Sequence, residues 1–209
     1  MSEPDKVRWN ELWQAAGGQT EASSHYDQLM ALYAEPNRHY HNFQHICECL
    51  REFDLAQDLP RHPFAVELAI WFHDAIYDPR AGDNEERSAD LANRWLTDNG
   101  FEKTLCKSVV QLVLATKQHD GSLDPDAPLL VDIDLSILGQ PGERFWEYES
   151  QIRKEYGWVP ENVFAQKRAE ILKRFLSRRT IYNTEIFFAK YEEQARKNIR
   201  ASMKKLLQA

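Results

Sequence analysis

The sequence predicts an all-α protein, on three observations. Proline and glycine cut the chain into segments of helical length. Within those segments apolar residues recur at spacings of three and four, the period of one helix face. No stretch alternates apolar and β-branched residues as a half-buried strand would. At 209 residues, 43% apolar and 28% charged, the chain has the length and composition of one ordinary globular domain, expected over residues 1–209 as a single helical bundle.

The elements follow in order. From about Tyr40 to Leu59, Phe43, Ile46, Cys47, Leu50 and Phe53 form one apolar stripe. From Phe64 to Tyr77 the helix is apolar nearly all round, so it is expected to be buried on most sides, with Asp78 before Pro79 ending it. Asp83 followed three residues on by Glu86 resembles a capping box that opens a helix with Leu91, Ala92, Trp95 and Leu96 inward and Gly100 past its end. Another helix runs from about Glu102 to Lys117. After the loop HDGSLDPDA, Pro128 and Gly139 bracket an eleven-residue helix. Three more are expected from about Glu143 to Tyr156, Pro160 to Ser177 and Thr184 to Leu207.

Composition also excludes function classes. No apolar run reaches the ~18 residues needed to cross a bilayer, so no membrane role is expected. The first residues, MSEPDKVRWNELWQ, hold no basic stretch followed by an apolar run, which points to the cytoplasm. With a formal charge of −7 and its cations spread along the chain, duplex nucleic acid is not an expected partner. Three cysteines, Cys47, Cys49 and Cys106, lack zinc-ligand spacing and read as reduced, small apolar fillers.

Three groups of residues carry chemistry. His73 and Asp74 sit near the C-terminal end of the apolar helix, where a desolvated carboxylate faces the negative end of the helix dipole and needs compensation. A bound cation supplies it; an arginine partner would serve as well. In PNRHYHNFQHI, His41 and His45 are four apart and share a helix face with Glu48 and Glu52, which a solvated face would also explain. Asp132 and Asp134 lie two apart in an apolar helix and so point about 200° apart; one suits a ligand, while the other caps a neighbouring helix or orients a ligand. His25, His39 and His62 read as ordinary histidines.

An early His, a buried His-Asp dipeptide and a distal Asp, all on helices, resemble the HD-domain superfamily of metal-dependent phosphohydrolases. The segments RHYHNFQHI, WFHDAIYDP, DNEERSA, ATKQH, DIDLSILG and EEQARKNI resemble more closely a bacterial subgroup of about this length, identified as predicted HD-superfamily phosphohydrolases. The resemblance implies an HD-domain-like bundle and four metal ligands: His45, His73, Asp74 and Asp134. It favours Asp134 over Asp132 through Asp134-Leu135-Ser136. It implies hydrolysis of a phosphate ester of a nucleotide or other small phosphorylated molecule by a metal-bound water, or, as the alternative, a non-catalytic metal- or nucleotide-binding domain.

Two imidazoles and two carboxylates suit one divalent ion, with manganese, iron, nickel, cobalt or zinc preferred to magnesium. Such a centre leaves positions for water and a phosphoryl oxygen. His41 or Asp78 would be the contributors to any second ion. Lys117 and His119, past the end of a helix, are candidates to hold phosphate, and Glu86, with Glu85 as rival, is the candidate general base. The bland roles are helix C-capping for Lys117 and N-capping for Glu86. Arg38 is a further phosphate candidate or a surface arginine. An apolar helix face left exposed would mark a homodimer.

Overall fold

The computed structural model describes residues 3–117 and 124–208. Among them the helices are α1 (Glu3–Ala15), α2 (Ser23–Tyr33), α3 (Phe43–Asp54), α4 (Pro63–Phe72), α5 (Asn84–Asp98), α6 (Lys103–Ala115), α7 (Ala127–Asp134), α8 (Gly142–Glu155), α9 (Glu161–Ser177) and α10 (Glu185–Leu206), with a 3₁₀ turn at Leu135–Gly139. No strand occurs among the described residues. The all-α expectation is met, and no described helix is long and apolar enough to cross a membrane. The chain divides into two compact units, residues 1–131 and 132–209, where the sequence suggested one domain without a linker. The boundary falls inside α7, between Val131 and Asp132.

The first unit is built round α4. Seven of its ten residues are buried, Ala65, Val66 and Leu68 to Phe72, as an apolar surface on every side requires. It packs on α6, α3, α5 and α1. Trp9 and Trp13 of α1 are fully buried, and the Trp9 ring lies 5.3 Å from that of Trp71 and 5.9 Å from that of Phe72, both edge-on. The Tyr33 hydroxyl of α2 donates to the Trp71 carbonyl at 2.9 Å. Helices α1 and α2 are additions to the expected elements: Tyr26, Leu29, Met30 and Tyr33 form the buried face of α2 at helical spacing, while Ala22 ahead of it offers no capping side chain.

Helix α4 stops at Phe72, not Tyr77. Past it one helical bond from the His73 N–H to the Ala69 carbonyl and a turn bond from the Ala75 N–H to the Phe72 carbonyl, both at 2.9 Å, close the end, and side chains claim the backbone beyond. Arg38 donates to the carbonyls of Asp74 at 2.5 Å and Ala75 at 2.8 Å, and the Ile76 N–H donates to Ser88 Oγ at 3.0 Å. The expected capping box is absent as well. Asp83 makes no side-chain capping bond; Asn84 instead bridges back to Asp78, accepting from its N–H at 3.0 Å and donating to its carbonyl at 2.9 Å.

In the second unit the 3₁₀ turn takes the place of the last turn of the expected helix and packs on α10. Its contact leaves no room for a side chain: a Cβ on Gly139 would lie 2.5 Å from Tyr191 Cβ. Asn198 of α10 donates to the Leu138 and Gln140 carbonyls at 2.9 and 2.8 Å. Glu149 of α8 and Arg168 of α9 form a buried ion pair at 2.5 Å.

Candidate metal centre

Helix α3 begins at Phe43 because Asn42 caps it, its side-chain oxygen accepting from the Gln44 N–H at 2.8 Å. His41 therefore precedes the helix, and His45 comes at its third residue. The face read as solvated is covered where it matters: His45 is 2% exposed and Glu52 is buried. His73 follows the last residue of α4 and is likewise 2% exposed.

His73, the C-cap of α4, keeps a helical backbone (φ −58°, ψ −34°) with its N–H on the Ala69 carbonyl at 2.9 Å, and its side chain and that of Asp74 meet at one point. There His45 Nε2 faces His73 Nε2 at 3.1 Å. Asp74 Oδ2 lies 3.3 Å from His73 Nε2 and 3.5 Å from His45 Nε2. An ion with bonds of about 2.1 Å at angles between tetrahedral and right would separate its ligands by about 3.0–3.4 Å. The triangle therefore has the dimensions of one face of a coordination shell.

The protonation pattern agrees. His73 Nδ1 is 2.9 Å from the Ile70 carbonyl, which can only accept, so Nδ1 carries the proton and Nε2 turns a lone pair inward. Burial alone would raise the Asp74 pKa. The neighbouring His73, His41 and His45 outweigh it and hold the carboxyl well below the usual carboxylate range. The side chain is 19% exposed, so the centre reaches solvent through Asp74.

Around this triangle the ring of His41 stacks on Tyr77 at 4.1 Å, and Tyr40 lies against the His45 ring at 4.7 Å. Arg38 is buried; its Nε pairs with the Glu35 carboxylate at 3.0 Å, and its other nitrogens donate to backbone, to the His41 carbonyl at 3.1 Å as well as to those of Asp74 and Ala75. That corrects its reading as a surface arginine or a phosphate ligand. Every carbonyl it takes belongs to a segment carrying or flanking the ligand set.

Of the residues singled out in the sequence, His45, His73 and Asp74 are brought together. Asp134 is the last residue of α7, half-buried, in the second unit. Asp132 takes the capping role: its carboxylate accepts from the Asn183 N–H at 2.8 Å and Nδ2 at 2.9 Å, and from the Thr184 N–H at 2.6 Å and Oγ1 at 2.7 Å, just before α10. Lys117 and Glu86 form an ion pair with each other, and Lys117 Nζ also donates to the Gly82 carbonyl at 2.8 Å. Each partner stabilises the charged form of the other, raising the lysine pKa and lowering the glutamate's. Glu85 is half-buried, and His119 lies outside the described residues.

Two residues gain a role that sequence reasoning did not give them. Cys49, read as an apolar filler, has its Sγ 3.7 and 3.8 Å from the two ring nitrogens of His45. The signal was the four-residue spacing that puts both on one face of α3. His62 joins Asp124 and Asp126 in a second group of metal-capable side chains. Those carboxylates already have work: Asp126 accepts from the Arg61 and His62 N–H groups, both at 2.8 Å, ahead of α4, and Asp124 accepts from Ser108 Oγ at 2.6 Å.

Compared with models of protein families, with curated proteins and with solved structures, the chain matches none.

Proposed function

We propose that this protein is a metal-dependent phosphohydrolase that cleaves a phosphate ester of a nucleotide or another small phosphorylated molecule. The observation that carries the reading is the convergence of His45 Nε2, His73 Nε2 and Asp74 Oδ2 at 3.1–3.5 Å in a nearly closed site. Two inward nitrogens and a carboxylate at that spacing repel one another unless a proton or a cation stands among them. The mixed imidazole and carboxylate donors fit manganese, iron, nickel, cobalt or zinc better than magnesium. The reaction class, and Asp134 as a fourth ligand, come from the resemblance to the HD-domain superfamily.

A divalent ion in such a site supplies Lewis-acid chemistry, acidifying water and withdrawing charge from phosphorus. His73 is oriented for this by the Ile70 carbonyl, and Asp74 by Arg38 through the backbone. Lys117 is the group for a phosphate oxygen. A phosphate that takes Lys117 releases Glu86, whose carboxylate is then free to accept a proton from the attacking water.

The test is metal content by elemental analysis of wild type and Asp74→Ala, followed by a phosphatase panel of nucleotides with manganese, nickel, cobalt and magnesium. The reading expects near-stoichiometric metal that the variant loses, and turnover of at least one nucleotide. Metal without turnover on the whole panel would leave the non-catalytic metal- or nucleotide-binding domain. No metal in either protein after reconstitution would end both.

A further inference from the structure

At the other end of α4 from His73, Asp124 and Asp126 are 7% and 4% exposed. Among the described residues neither carboxylate pairs with a lysine or an arginine. Their one titratable neighbour is His62, whose Nδ1 lies 3.3 Å from Asp126 Oδ2, at the distance of an ion pair but without the alignment of a hydrogen bond. Ligand-capable atoms of the three side chains lie within 4.8 Å of one another. The bonds already made there leave room for more. Each Asp126 oxygen accepts one backbone N–H, and Asp124 accepts from the Asp126 N–H at 2.9 Å on one oxygen and from Ser108 Oγ at 2.6 Å on the other. A carboxylate has about four acceptor positions, so each oxygen keeps one. Such bonds orient carboxylate ligands in metal sites.

The off-line approach of His62 is the informative feature. An ion with bonds of about 2.1 Å and an angle of about 104° between them puts a nitrogen and an oxygen 3.3 Å apart, with the oxygen about 38° off the axis of the ring nitrogen. Two groups aimed at a third point meet in this way; a hydrogen-bonded pair aims one at the other. Beside the cluster a cavity of about 490 Å³ has His62, Ser108, Arg61 and Thr104 in its wall, so an ion can enter and complete its shell with water. We propose that His62, Asp124 and Asp126 form a second divalent-cation site, separate from the centre at His45, His73 and Asp74. His62 and His73 flank the ten residues of α4, about 16 Å of helix, so the two ions share no ligand. One imidazole and two carboxylates make a shell richer in oxygen than that of the first centre, which suits manganese as well as zinc. The ion ties the start of α4 to the segment ahead of α7. Because the His62 side chain is 58% exposed, the site is the weaker of the two and fills on titration. Coordination needs the neutral imidazole, so any proton on Nδ1 passes to solvent, and nothing is oxidised or reduced.

The experiment strips wild type, His62→Gln, Asp74→Ala and the double variant of metal, checks their helix content, and titrates each with manganese(II), counting bound ion by the loss of the free-ion EPR signal. His62→Gln alone should bind one ion fewer than wild type. Asp74→Ala should keep one ion, whose affinity the added His62→Gln lowers by about tenfold or more. Manganese at about a hundredfold over its Kd should raise the melting temperature of Asp74→Ala by about 5–11 °C and leave that of the double variant in place. An Asp74→Ala protein that binds no manganese, or a His62→Gln change that leaves count and affinity as they were, would overturn the second site and leave the first centre standing. One ion in wild type, kept in Asp74→Ala and lost with His62→Gln, would uphold this site and end the reading of the first centre.

Discussion

Replacing Asp132 with alanine should unfold the protein more easily without emptying the metal centre, because this carboxylate serves α10. It is 0% exposed and is the acceptor for two backbone N–H groups, the Asn183 amide and the Thr184 hydroxyl. The two backbone donors stand on exposed Asn183 and half-buried Thr184, where water can take part of the loss. Each lost hydrogen bond costs about 0.5–1.5 kcal/mol net, so the pair costs about 1–3, and about 2 kcal/mol is the central expectation. Loss of a negative charge beside the N-terminus of α10 acts in the same direction. For a protein of this size about 1 kcal/mol moves the melting temperature by about 2–4 °C, so Asp132→Ala should melt about 4–8 °C below wild type. Asp132→Asn, which keeps one acceptor oxygen, should fall about half as far. Calorimetry with a chelator present isolates the structural effect, and metal analysis of the same proteins without chelator completes the assay. A variant that melts within about 2 °C of wild type, or one that keeps its stability and loses its metal, would refute the capping role and make Asp132 a ligand.

Arg38→Met should weaken metal binding about 10–100-fold, as measured by competition titration, because the carbonyls of Asp74 and Ala75 lose the group that fixes them. Glu86→Gln should leave the melting temperature unchanged, since its partner Lys117 is a surface cation, and lower the turnover of any nucleotide substrate found. In the metal-free protein the depressed Asp74 pKa sets the sign of a pH effect. Its contribution is complete above the unfolded carboxylate value of about 3.9 and is lost as pH falls through the lower folded value, so wild type and Asp74→Asn should converge in urea stability only in strong acid.

The helical class and most element positions were legible because apolar spacing dominates them; α8, α9 and α10 fall within about two residues of their expected bounds. The burial of α4 followed from its composition, and the need for compensation at Asp74 from its place at the end of that helix. Less visible was what long-range contacts decide. Arg38 lies 36 residues from the Asp74 carbonyl it caps, so nothing local could place the stop of α4 at Phe72. Glu86 follows the spacing of a capping box, but Lys117, 31 residues on, takes its carboxylate. Cys49 resembled the other two cysteines when cysteine spacing alone was considered, although its four-residue step from His45 on α3 places the two side by side.

The position of the His-Asp pair at the end of α4 also affects how such sequences should be compared. The apolar residues leading into the pair are held by the interior, and would persist under selection for folding alone. A descendant that had abandoned chemistry would still spell Ala-Ile-Trp-Phe, and His73 could linger there as a residue bonded to the Ile70 carbonyl. Asp74 answers to the site rather than to the interior: it is the more exposed of the pair, and its charge is held by the neighbouring histidines and not by the apolar core. On the metal-centre reading the informative letter is therefore the aspartate, and the apolar run that makes the segment easy to find says nothing about a bound ion.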